Sequence, residues 1–151
     1  MVVDLLSSSM VVLTGVLAGT LFTVESAIVP TLLSLPGDRW IQVHTGLDSR
    51  FDPLMPSINK VSLGICAALV VLADGTAAKT AFALGGAGTV AVALVSELFN
   101  VRMNKRIVGF DPDALPAGWT GLRAKWAAAN RARTLFALGG FVSTVVGAAL
   151  T

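Results

Sequence analysis

Seven polar residues interrupt otherwise apolar stretches of this chain: Glu25, Asn59, Glu97, Asn100, Asn104, Asn130 and Arg133. A bilayer tolerates such groups poorly, so inside a membrane span they are functional candidates by default. Their types form an acid–base set: carboxylates that can hold or take a proton, a guanidinium, and carboxamides that donate and accept hydrogen bonds. Their spacing gathers them. Glu97, Asn100 and Asn104 recur at i, i+3 and i+7, and Trp126, Asn130 and Arg133 at i, i+4 and i+7, so each set shares one helical face. Two polar faces with an aromatic beside them describe a pocket or a buried network. The competing structural role is helix–helix glue, worth about 0.6 kcal/mol per interhelical hydrogen bond in a membrane. In that role Arg133 simply pairs with Glu97 or Glu25, while Arg131 snorkels to the headgroups and stays outside the site. The single histidine, His44, is a candidate general base near neutral pH. One histidine with Glu25 and Glu97 is a poor ligand set for zinc or copper, and no Glu-x-x-His pair of the di-iron kind occurs. No metal or other cofactor is expected, and no dinucleotide motif points to a flavin.

The elements that must position these residues are membrane helices. The 151-residue chain is 54% hydrophobic and only 13% charged, against about 25% charged in soluble domains. Met10–Leu35, Pro53–Ala73, Thr76–Phe99 and Leu135–Leu150 each approach, alone or with their flanks, the roughly 20 residues of a spanning helix. The expected fold is all-α: one integral-membrane four-helix domain over residues 1–151, with a short amphipathic interfacial helix between spans one and two. The first helix is expected over Ser7–Leu35, and the interfacial helix over Arg39–Phe51 with Trp40 at headgroup level. Asp52-Pro53-x-x-Pro56 opens the second span, which runs to Leu72; the third runs over Ala77–Val108 and the fourth over Trp119–Leu150. Asp4 and the absence of a basic n-region argue against a secretory signal, so the first span is expected to be retained. Leu84-Gly85-Gly86-Ala87-Gly88 lacks the strand and the Gly-Lys-Ser/Thr of a phosphate loop, and reads as close helix packing. Gly15 and Gly19 form a second small-residue face. Cys66 is alone and is assigned to packing.

Lys and Arg concentrate in the connections between spans one and two (Arg39, Arg50) and between spans three and four (Arg102, Lys105, Arg106, Arg123, Lys125). The positive-inside rule places these in the cytoplasm and both termini outside, as in a bacterial cytoplasmic membrane. All seven polar residues then lie in the cytoplasmic half, and His44 sits over a mouth on that side. The basic residues follow no aromatic-interleaved stripe, so nucleic acid is not a partner. The expected partners are a small hydrophobic substrate, membrane lipid and, as an open option, further copies of the chain.

The run Asn100-Val101-Arg102-Met103-Asn104, followed by Trp126-x-x-x-Asn130-x-x-Arg133, resembles the anthrone-oxygenase-like family of four-span membrane proteins. Gly19–Pro30 looks like that family's opening segment, which extends the resemblance over nearly the whole chain. Arg102 stands where the family often has proline, which makes for a straighter and more basic end of helix three. The resemblance implies oxidation of a polyketide anthrone methylene to a quinone carbonyl, without metal or flavin. In that chemistry Glu25 or His44 is the base. Arg133, Asn130 and Asn100 stabilise the enolate, Trp126 is a stacking wall, and Glu97 orients Arg133. Asn104 and Asn59 complete the substrate-binding set. Two alternatives use the same residues: a cyclase or isomerase of a terpenoid-like substrate, and a small transporter or accessory membrane protein with Glu25, Glu97 and Arg133 as a proton relay. Against the transporter, the outer halves of the helices carry no polar path.

Overall fold

The computed structural model describes residues 1–51 and 54–151. The elements run α1 (Val2–Thr23), a first π turn (Val24–Ile28), α2 (Val29–Ser34), α3 (Gly37–Phe51), α4 (Met55–Leu72), α5 (Thr76–Val95), a second π turn (Ser96–Asn100), α6 (Val101–Val108) and α7 (Trp119–Ala149). Four stretches, Val2–Ser34, Gly37–Leu72, Thr76–Val108 and Trp119–Ala149, are long and apolar enough to cross a membrane. Among the described residues there is no strand, and the protein is an all-α four-helix membrane bundle. Apolar side chains such as Val12, Phe22, Val71, Leu84, Leu135 and Val142 point outward, as they do where lipid rather than water is the solvent.

The helix limits follow the hydropathy closely, with α1 starting five residues earlier than Ser7, at Val2. Asp52 and Pro53, the expected opening of span two, lie outside the described residues. Pro56 sits in the first turn of α4, where its missing N–H would have had no intrahelical partner. A left-handed Gly75 (φ 78°) makes the tight turn into α5.

Both long spans one and three are interrupted by π turns. In the first, the Val29 N–H reaches back to the Val24 carbonyl. Pro30 follows directly and gives a cause: its ring crowds the carbonyl four residues back and offers no N–H to it, so the turn before it widens. The second π turn, where the Val101 N–H bonds the Ser96 carbonyl, has no proline or glycine behind it.

The spans pack in a ring, α1 between α4 and α7, and α5 between α4 and α7. The closest approach is between α5 and α7. A Cβ on Gly88 would fall 2.8 Å from Gly140 Cα and from the Phe136 carbonyl oxygen. The glycine-rich run thus serves packing, as its lack of phosphate-loop context indicates. Gly15 packs on the Phe141 ring, whereas nothing lies near Gly19. Cys66 is buried, and its thiol donates to the Phe82 carbonyl at 3.0 Å.

Three apolar clusters fill the bundle. Met10, Leu69 and Phe82 close the end near the termini, and Leu17, Leu21 and Val92 fill the middle. At the basic end, Trp40, Ile41, Met103, Ile107 and Trp126 form the third. Trp40 is therefore fully buried in protein and does not present its ring to lipid headgroups. The amphipathic face of α3 turns inward onto α6 and α7, which removes more apolar area from water than an interfacial pose would. Arg123 fastens this arrangement. It donates to the Leu35 carbonyl at 2.9 Å and the Leu32 carbonyl at 3.4 Å, which completes the end of α2, and its guanidinium lies 4.7 Å from the Trp119 ring centre.

Candidate functional site

A cavity of about 170 Å³ lies in the basic half of the bundle, between spans one, two and three and against α3 and α7. Its walls are mostly apolar. Its polar lining includes His44, Asp48, Asn59, Glu97, Asn100, Asn104 and Arg133. Trp126 lines it as well, while Glu25 and Asn130 stand behind the wall.

Arg133 reaches the cavity from α7 and is backed by a chain of three side chains, Asn130, Glu25 and Arg131. Its Nε and one terminal nitrogen both donate to Asn130 Oδ1, at 3.0 and 2.8 Å. Asn130, fully buried, turns its Nδ2 to Glu25 Oε2 at 2.8 Å. The other carboxylate oxygen of Glu25 accepts from Arg131 Nε at 2.9 Å, in an ion pair whose arginine is largely exposed. The expected direct pairing of Arg133 with Glu25 or Glu97 does not form. Asn130 stands between the charges instead, and the counter-charge of Glu25 is shared with Arg131, which composition alone had assigned to the headgroups. The first π turn carries Glu25 and so sets where this carboxylate meets α7. A guanidinium held from behind by a carboxamide keeps donors free toward the cavity, as an oxyanion-stabilising group must.

A second network covers the cavity from α3. Trp126 Nε1, which can only donate, lies 2.9 Å from Asn104 Oδ1 and thereby fixes the orientation of that carboxamide. Asn104 Nδ2 then donates to Asp48 Oδ1. His44 Nε2 lies 3.2 Å from the same Asn104 oxygen, so it carries the hydrogen. In neutral His44 the lone pair is thus left on Nδ1, which is buried and has no hydrogen-bond partner. The imidazole packs edge-on against Trp126, with ring centres 4.7 Å apart. His44 is 2% exposed, a member of the site and not a loose interfacial residue.

The remaining candidates divide. Asn100 is buried in the second π turn, with Nδ2 donating to the Trp126 carbonyl at 3.5 Å and Oδ1 left without a partner. Asn59 is buried on α4 and its Oδ1 is likewise unpaired. Glu97 lines the cavity but is exposed. The π turn between it and Asn100 breaks the simple i, i+3, i+7 face. Asp48 was not among the sequence candidates, yet its signal was present: Trp40, His44 and Asp48 are spaced i, i+4, i+8 on α3. Among the described residues no group of three His, Cys, Asp or Glu side chains clusters as metal ligands would.

A match to the model of the family described as anthrone oxygenase covers residues 51–143, more than half of the chain. The chain belongs to the anthrone oxygenase family. The matched region holds Asn59, Glu97, Asn100, Asn104, Trp126, Asn130 and Arg133, so most of the cavity's polar wall is in the part shared with anthrone oxygenases. It leaves out span one and all of α3 before Phe51, so the resemblance of Gly19–Pro30 lies outside it, as do Glu25, His44 and Asp48. No curated protein and no solved structure matches the chain.

Proposed function

We propose that this protein is a membrane-embedded anthrone oxygenase that converts the methylene of a flat, hydrophobic polyketide-type aromatic to a quinone carbonyl with O₂, without metal or flavin. One observation carries the proposal: a cation, Arg133, is presented to a mostly apolar cavity, held from behind by Asn130 and balanced by two carboxylates, Asp48 in the cavity lining and Glu25 beyond Asn130. Family membership supports the substrate class.

An anthrone is acidic at its methylene because the carbanion delocalises into the carbonyl as an enolate. His44 takes this proton on Nδ1, which is sealed from the cavity in this structure and meets the substrate by a turn of the ring, and Arg133 holds the enolate oxygen, where developing charge is best stabilised by a preorganised donor in a dry site. The electron pair of the carbanion passes to O₂ and forms a carbon–peroxide bond. The peroxide is protonated. Loss of the second methylene proton then breaks the O–O bond, releases water and leaves the carbonyl. Carbon is oxidised and O₂ reduced, so the substrate itself supplies the electrons. Glu25, with both oxygens engaged and no place in the cavity lining, serves as counter-ion to Arg133 and Arg131 and not as base. Asn100 and Asn59 carry buried oxygens without a partner, and these accept from substrate hydroxyls once their carboxamides turn to the cavity. An apolar cavity of about 150 Å³ admits benzene, so this one seats the reacting ring while the rest of the substrate extends through the mouth. The basic connections favour a cavity in the cytoplasmic half of a bacterial-type membrane, with both termini outside.

The test is turnover of a dihydroxyanthrone by purified protein in phosphatidylcholine vesicles under isotopically heavy O₂. One heavy oxygen should enter the new carbonyl and one should leave as water, at a rate that a chelator does not change. Conversion no faster than in empty vesicles, or activity lost with a chelated metal, would overturn the proposal.

A further inference from the structure

Among the described residues that line the cavity, two are exposed: Lys60 on α4 and Glu97 in the second π turn. The rest are buried or half-buried. The mouth therefore lies between these two side chains, and neither is at a helix end. Lys60 stands roughly 7 Å past the start of α4, and the end of α6 lies roughly 16 Å beyond Glu97. α4 packs along α5 but hardly touches the π turn and α6 that continue it, so spans two and three diverge toward the basic end. The neighbours of the two posts, Val61 on one side and Leu94 and Leu98 on the other, are exposed and apolar.

We propose that the cavity opens sideways into the bilayer through the gap between spans two and three, with Lys60 and Glu97 as its posts, and takes its aromatic ligand from the lipid phase. This rests on the reading of the substrate as a hydrophobic aromatic, which dissolves in lipid far better than in water. Among the described residues neither post makes an ion pair. A ligand of net charge is drawn by one post and repelled by the other. A neutral aromatic with hydroxyl and carbonyl groups gives each a hydrogen-bond partner as it passes, so neither charge is left unsatisfied at the lipid face. Lys60 and Glu97 are thereby specificity-determining residues at the entrance.

The test places a thiol at each post in turn, with the Lys60→Cys and Glu97→Cys variants in phosphatidylcholine vesicles. Wild type is the blank, since Cys66 is buried and hydrogen-bonded. A bilayer-soluble pyrene maleimide should label both variants faster than a charged, water-confined maleimide. Dihydroxyanthraquinone, a product-like probe that is not turned over, should suppress that labelling. Protein labelled at either post should take up the probe more slowly, read as quenching of tryptophan fluorescence. Preferential labelling by the charged reagent, absence of protection, or undiminished uptake after labelling would each overturn the proposal. Protection without anthrone oxidation in the wild type would leave the entrance standing and remove the proposed function. Oxidation unaffected by labelling would do the reverse.

Discussion

His44 has one nitrogen committed to Asn104 and one without a partner, and Trp126 and Asp48 together hold Asn104 in the orientation that produces this asymmetry. If His44 is the base, His44→Ala should lower turnover in vesicles by about 10²–10⁴-fold, the usual contribution of a positioned general base. Asp48→Leu removes the acceptor for the Asn104 amide and should cost less than that, because the base remains and Trp126 alone still holds the Asn104 oxygen toward it. Asp48→Asn should retain most activity, since its carboxamide oxygen still accepts from Asn104. Asp48→Leu turning over at the wild-type rate would exclude this positioning role. The sequence made the intramembrane residues of this site legible, because a carboxylate or guanidinium within an apolar run stands out. It did not reveal Asp48, which belongs to a helix whose polar residues were expected to face water. Nor could it tell that Asn130 would separate Arg133 from Glu25: residues on two facing helices can pair directly or through a third, and spacing along one helix does not distinguish these.

At the scale of elements, the four spans and α3 were legible because runs of some twenty apolar residues leave few alternatives. The π turns were not. A π turn adds one residue to a helical turn and has no compositional mark of its own, apart from Pro30 after the first. Yet these turns carry Glu25, Glu97 and Asn100, so they decide which of the polar residues meet. The docking of α3 was also missed, because an amphipathic helix has the same pattern whether its apolar face meets lipid or protein. Arg123 is what fastens this corner, through the Leu32 and Leu35 carbonyls and the Trp119 and Trp40 rings. Arg123→Ala should lower stability by about 1–3 kcal/mol, the worth of charged hydrogen bonds and a cation–ring contact. Thermal unfolding in detergent would measure it. An unchanged midpoint would mean that α3 is held by apolar packing alone.

At the scale of the whole molecule, the spans form a wall around the cavity. The end near the termini is sealed by Met10, Leu69 and Phe82, while the basic end is spread by α3 and the two π turns to leave room inside. A bundle closed at one end suits a ligand that enters and leaves on the same side better than a solute that crosses. The account depends most on Arg133 acting on substrate rather than holding helices. Its removal should be tolerated, because Glu25 keeps Arg131 and Asn130 as partners and Asp48 keeps Asn104. The decisive measurement is therefore anthrone-dependent O₂ uptake by wild-type and Arg133→Met protein in the same vesicles, with thermal unfolding as the check on folding. The account predicts a folded variant whose turnover falls by roughly 10²–10³-fold, as for loss of one oxyanion donor. A folded Arg133→Met protein with near-normal turnover would contradict it.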